Sequence, residues 1–419
     1  MLNRTQQPEL IAIESIDFVA PKKYDLSPSV PLYHMKEVQN ETARFDLYFD
    51  AGNCRGEKGI PGFTNGLLLS GTPTKTSIEI HEEINSLGGF SESGVSVENA
   101  TFSMYCLREN LQAILETVID AITNVNFDEE EIKELTADRK QKWRIGQEKV
   151  STKARQEFRE RLFASNARYA TRIEESDFDN VQRDDLRAFH AKYYLKGLTK
   201  VVIVGNFEED VILEISTLFT SLLSEAVGGF DADLQNEAGV TKIEKEGALQ
   251  TAIRAGKMLF NKNHPDYLDF LFVNTILGDY FGSRLMTNIR EEKGYTYGIG
   301  SMIAELNGTG YFLMATEVGK QVRDNTLNEI QFELNRLQTE LVPEDEMELV
   351  RNYMLGQLLK SADGAYAMTD LFLSAELHGK SLDFYNEAIH AIRSITPERV
   401  QELAKQYLNW DDMTVVAVG

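Results

Sequence analysis

The chain has 419 residues, 42% apolar and 26% charged, enough for two to four domains at the usual ~100–200 residues each, and its composition is that of a globular protein, not a disordered or fibrous one. Acidic residues outnumber basic ones 66 to 43, a net charge of −23. Such a field repels phosphate backbones and anionic lipid headgroups, so no nucleic acid and no membrane is expected as a partner.

In chain order, the opening MLNRTQQPELIAIESIDFVAPKKYDL shows no apolar stretch of signal length after Arg4, and a cytoplasmic protein is expected. Cys54 and Cys106 lack C-x-x-C spacing and read as small core residues. Thr76-Ser77-Ile78-Glu79 has capping-box spacing, Ile80, Ile84 and Leu87 share the face of the helix it opens, and Gly88-Gly89 ends it. Phe102, Met104 and Cys106 alternate with Thr101, Ser103 and Tyr105, the period of a half-buried strand. Leu111, Ile114, Leu115, Val118, Ile119 and Ile122 return to helical spacing, and a charged helix follows from Asp128 to Lys149.

A helical stretch then runs into the apolar strand Val201-Val202-Ile203-Val204-Gly205, and periodicity lapses around Gly228 to Asp233. Leu268, Phe272 and Ile276 begin a second set with a helix. Gly278 and Gly282 punctuate its end; no G-K-[ST] or G-x-G-x-x-G accompanies them, so they do not cradle a phosphate. Tyr295 to Ala304 and Gly310 to Thr316 read as strands around the Asn307-Gly308 turn, and long helical patterns fill 320–408 before the strand Thr414 to Gly419.

The two sets are copies. Ala191, Lys192, Tyr194 and Leu195 recur as Ala404, Lys405, Tyr407 and Leu408, an offset of 213. We therefore expect two homologous α+β domains, 1–225 and 235–419, each a mixed or antiparallel sheet packed with helices.

Two segments carry a family resemblance. Leu277-Gly278-Asp279-Tyr280-Phe281-Gly282-Ser283-Arg284-Leu285, followed by Ile289-Arg290-Glu291-Glu292-Lys293-Gly294-Tyr295-Thr296-Tyr297, resembles the second-domain signature of pitrilysin-type (insulinase-like) zinc peptidases, the inverzincins. Gly71-Thr72, Leu87-Gly88-Gly89 and Tyr193-Tyr194-Leu195 occur in the family's order in the first half. The resemblance implies two domains arranged as a clamshell around a peptide. It also implies an H-x-x-E-H helix before Gly71, in which two His hold zinc and Glu deprotonates the bound water. Those positions are Gly62, Asn65 and Gly66 here. Glycine offers no ligand and neutral Asn65 no base, so these are degenerate motif positions and no metal is expected in this chain. The family's third ligand, a Glu, should fall within Asp138 to Gly146, which has none, although Asp138 and Glu148 lie near.

No two of the six histidines share a helical turn: His34 with Glu37 lacks a second His, and His81 beside Glu82 and Glu83 reads as a solvated group. Arg290 and Tyr297 match the family's Arg and Tyr pair, which implies a substrate clamp acting with zinc held by another domain or chain. A guanidinium and a phenol suit that role as preorganised donors to a scissile carbonyl. The expected function is a zinc-less, inactive subunit that pairs with an H-x-x-E-H homologue, as a heterodimer or alternatively a homodimer, zinc being the partner's. The alternative is a non-catalytic structural or peptide-binding subunit. An extended peptide would pair with a strand edge, for which the run Val95 to Cys106 is the candidate.

Overall fold

The computed structural model describes residues 13–223 and 233–419; of the expected joint at Gly228 to Asp233, only Asp233 lies within the described residues. The first half opens with β1 (Lys22–Ser27), β2 (Val30–Met35) and β3 (Thr42–Phe49), then α1 (Ile60–Gly66) and α2 (Ser77–Ser86). A hairpin of β4 (Phe90–Val95) and β5 (Ala100–Leu107) leads into α3 (Leu111–Asn124), α4 (Glu129–Gln147) and α5 (Val150–Leu162). Then come α6 (Glu175–Asp179), α7 (Arg183–Tyr193), β6 (Leu198–Val204) and α8 (Glu209–Ser216). The second half has β7 (Gly239–Ile243), β8 (Gln250–Leu259), α9 (Tyr267–Leu277), a π-helical turn at Met286–Glu292, β9 (Thr296–Glu305) and β10 (Gly310–Gly319). It closes with α10 (Arg323–Thr339), α11 (Glu344–Ser361), α12 (Gly364–Glu376), α13 (Asp383–Ser394), α14 (Pro397–Tyr407) and β11 (Thr414–Val418).

Local rules account for much of this. The Thr76 hydroxyl accepts from the Glu79 amide while the Glu79 carboxylate accepts from the Thr76 amide, closing the capping box that starts α2. Asp128 caps α4 through the Glu130 amide. In β5 the alternate residues Phe102, Met104 and Cys106 are buried, as their spacing predicts. Both cysteines are buried and free.

Each half builds its own sheet. The first runs β1-β2-β6-β3-β5-β4 and the second β7-β11-β8-β10-β9. Both are mixed: β2 with β6, and β7 with β11, pair in parallel, and the other pairs are antiparallel. One face of the first sheet packs on α1, α2, α3, α7 and α8, and one face of the second on α9, α10, α11, α13 and α14. The opposite faces are covered by exchange. Val202 and Val204 of β6 pack against Phe372 and Leu373 of α12, whereas Val416 and Val418 of β11 pack against Ala154, Phe158 and Leu162 of α5. These two helices begin at Val150 and Gly364, 214 positions apart and so within one residue of the repeat. Each half therefore lends its copy of the same helix to the other.

The expected peptide edge is corrected. The run Val95 to Cys106 takes in the last residue of β4, a turn and most of β5, and β5 is bonded on both sides, to β3 and β4. Ser96 and Asn99 close the turn, the Ser96 amide donating to the Asn99 carbonyl at 2.8 Å, so β4 folds back to become an open edge of the sheet, opposite β1. Alternation reveals which face of a strand is buried but not which strand lies outermost.

Candidate functional site

The helix bearing Gly62, Asn65 and Gly66, expected to be degenerate motif positions, is one short element. Gly59, at φ 84°, opens α1, Pro61 occupies its first turn, and Phe63 anchors it in the core. Asn65 is buried, its amide donating to the Thr101 carbonyl of β5 at 3.4 Å. Gly62 and Gly66 lie four apart on the face turned toward α4.

That face is filled by Arg139. Its Nη2 donates to the Gly62 carbonyl at 3.0 Å, and its guanidinium carbon lies 4.6 Å from the centroid of the Phe63 ring. A Cβ on Gly66 would come within 2.6 Å of Nη2, and one on Gly62 within 3.1 Å of Nη1. The glycine pair admits a cationic side chain against the helix. Burial lowers the Arg139 pKa from its ordinary value, yet guanidinium keeps its charge at neutral pH.

Neither candidate for the third ligand turns inward. Asp138 pairs with Lys142 at 2.7 Å, and exposed Glu148 with Lys245 at 3.1 Å. No three His, Cys, Asp or Glu side chains converge as a metal site among the described residues. Zinc does not fit here: the donors are missing and a fixed positive charge stands against the helix. The neighbouring cavity, about 140 Å³, lies between α1 and the open edge and is lined by Asn65, Gly66, Ser70, Ser91, Ser93 and Glu131 among others.

Other candidate groups are accounted for locally. Exposed His81 makes an Nδ1 contact of 2.8 Å to the Ser77 carbonyl, and buried His34 places Nε2 3.1 Å from the Gly205 carbonyl. Burial pushes the thiols of Cys54 and Cys106 up to about 11, which leaves them as unreactive core groups.

In the second half the structure brings Arg290 and Tyr297 together. Arg290 sits on the π-helical turn and Tyr297 near the start of β9, the edge strand, with the guanidinium carbon 5.3 Å from the Tyr297 ring centroid. π-Helical turns of this kind are frequent at functional sites. Phe281 adds a second ring at 4.5 Å. Tyr297 is 91% exposed, and it lines an open groove of about 750 Å³ with Gln250, Arg254, Thr296, Thr316 and Glu317.

Sequence reasoning missed two participants. Arg139 stood inside the run searched for a carboxylate, and a glycine pair at i, i+4 facing another helix was itself a signal that something long fills the gap. Phe281, between two glycines, had no periodic role to explain it.

Two models of one peptidase family match most of the chain. Insulinase (peptidase family M16) matches residues 34–175, and the peptidase M16 inactive domain matches residues 180–354. The chain belongs to the M16 peptidase family. Among curated relatives, the "uncharacterized zinc protease" YmxG of Bacillus subtilis is 25% identical over 366 residues, covering 84% of this chain and 86% of its own length. A probable mitochondrial-processing peptidase subunit beta of Arabidopsis thaliana is 22% identical over 408 residues, covering 90% of this chain and 74% of its own. Among solved structures, a peptidase M16 inactive domain from Pseudomonas fluorescens superposes with a TM-score of 0.88 at 20% identity, over 96% of this chain and 98% of that one. A protease from Helicobacter pylori gives 0.83 at 16% identity, over 96% and 100%. These likenesses establish the two-domain M16 fold. No helix of the described residues is long and apolar enough to cross a membrane.

Proposed function

We propose that this chain is a zinc-less M16 subunit that pairs with a homologue carrying H-x-x-E-H and supplies Arg290 and Tyr297 to bind and polarise a peptide for proteolysis. The observation that carries the reading is the Arg139 guanidinium against Gly62 and Gly66, which leaves α1 without metal donors. Zinc and the general base are then the partner's, and hydrolysis belongs to the complex. A homodimer would bring together two copies of the same donor-free helix, so the reading favours a heterodimer. The plant relative is, by its name, one subunit of a processing peptidase, which agrees with such a division.

The Arg290 and Tyr297 pair suits the clamp chemically. Its guanidinium already lies over two rings, which restricts it before a substrate arrives, so its N–H groups act as partly preorganised donors to a peptide carbonyl. The purified chain is expected to retain no stoichiometric zinc and to cleave no peptide, by metal analysis and a fluorogenic peptidase assay, until a homologue is added. In the reconstituted pair, Arg290→Ala should lower kcat/KM by about 10²–10³, as loss of one such donor does, while gel filtration shows assembly unchanged. Full turnover with Arg290→Ala would remove the clamp role and leave the non-catalytic reading. Zinc-dependent cleavage by the chain alone would end both.

A further inference from the structure

The second-half signature holds a feature that a scissile-carbonyl clamp does not require. Among the described residues the Arg290 guanidinium makes no hydrogen bond and no ion pair; its contacts are the rings of Phe281 and Tyr297. Its neighbours behave differently. Arg284 holds Glu346 through two bonds of 2.9 and 2.8 Å, and Lys293 pairs with Glu329 at 3.6 Å. In a chain with 66 acidic residues, Arg290 keeps its in-plane N–H groups uncommitted.

Phe281 is aimed there by a clamped loop. Its neighbour Tyr280 packs on Tyr353 with ring centroids 4.9 Å apart, and the Gly278 carbonyl accepts from the Ser301 amide at 3.1 Å. A Cβ on Gly278 would stand 2.5 Å from the Ser301 Oγ, and one on Gly282 2.7 Å from the Tyr280 ring, so both glycines are needed for this course. Between them Phe281 is left 62% exposed, an apolar ring in solvent whose contact of note is the guanidinium.

We infer that Phe281 is a positioning residue for Arg290, and that the pair recognises a carboxylate of the bound peptide, its C terminus or an acidic side chain. Stacking on rings occupies the face of the guanidinium and leaves its five in-plane N–H donors, two of which form the fork that matches a carboxylate with parallel bonds while the others stay available to a peptide carbonyl. The inference rests on the proposal that Arg290 and Tyr297 bind a peptide, and it adds the chemistry selected there.

The test uses the full chain alone, with fluorescence anisotropy of a dye-labelled alanine-rich pentapeptide in three forms: free C terminus, C-terminal amide, and C-terminal amide with one internal Glu. At least one carboxylate-bearing form should bind about tenfold tighter than the neutral amide; which one does so identifies the source. Phe281→Ala should erase most of that preference, Phe281→Tyr should keep it, and Arg290→Lys, which keeps the charge but loses the fork, should abolish it. Equal binding of all three peptides, or an unchanged preference in Phe281→Ala, overturns the inference. Because Phe281 is exposed, the variant folds as the parent does, and circular dichroism verifies it. Failure of the pairing proposal shows separately, as absence of turnover with any homologue.

Discussion

Writing the family's motif back into α1, as Gly62→His, Asn65→Glu and Gly66→His together, is expected not to create a zinc site while Arg139 remains. The His side chains must enter the space that the guanidinium fills, where even a Cβ on Gly66 meets Nη2 at 2.6 Å. Were the guanidinium to stay near, a divalent ion about 4 Å away would be opposed by roughly 8 kcal/mol at an effective dielectric of ~20. The side chain is long and can swing out, so the penalty is reduced to the loss of its bond to Gly62 and its stacking on Phe63 plus residual repulsion. Adding Arg139→Ala to the triple variant should therefore raise zinc affinity by at least about a hundredfold, or ~2.7 kcal/mol, read by competition against a chromogenic chelator. Equal affinity with and without Arg139 would show that the guanidinium is a bystander.

The second large effect concerns Arg44 on β3. Its Nε lies 2.9 Å from Asp46, and its Nη2 is 2.8 Å from Asp370 of the exchanged helix α12; the Arg44 and Asp46 side chains are both buried. Burial raises the Asp46 pKa even beside Arg44. Arg44→Met should destabilise the protein by about 3–5 kcal/mol at neutral pH, because it leaves a buried carboxylate without its counter-charge. A carboxyl whose folded pKa exceeds its unfolded one costs stability once ionised and regains it as the pH falls through the folded value. The deficit of Arg44→Met should accordingly shrink between neutral and mildly acidic pH, and adding Asp46→Asn should recover most of it at neutral pH. Urea unfolding at both pH values decides this, and a deficit independent of pH and of Asp46→Asn would refute the account.

Much of the fold was legible because local chemistry declared it. The Thr76 and Glu79 capping box, the alternation through Phe102, Met104 and Cys106, and the recurrence of Tyr194 as Tyr407 each depend on residues close in sequence or on simple repetition. What could not be read is where separate elements meet. The spacing of β5 is the same whether it lies at the edge or inside, and the packing of α5 against β11 joins positions more than half the chain apart. At Gly62, Asn65 and Gly66 the lack of side-chain ligands was plain, whereas the side chain packed against them was not. The sequence places Arg139 77 positions from Gly62, and only the packing of α4 on α1 brings them together. Arg290 and Tyr297 came from resemblance, and their nearness to Phe281 from structure.

The reciprocal loan of α5 and α12 has a consequence for the chain as a whole. A polypeptide stopped between the halves during synthesis would display the valines of β6 with nothing to shield them, and the second half made by itself would do likewise with β11. Shielding of β6 must therefore await synthesis of α12, in the other half of the chain.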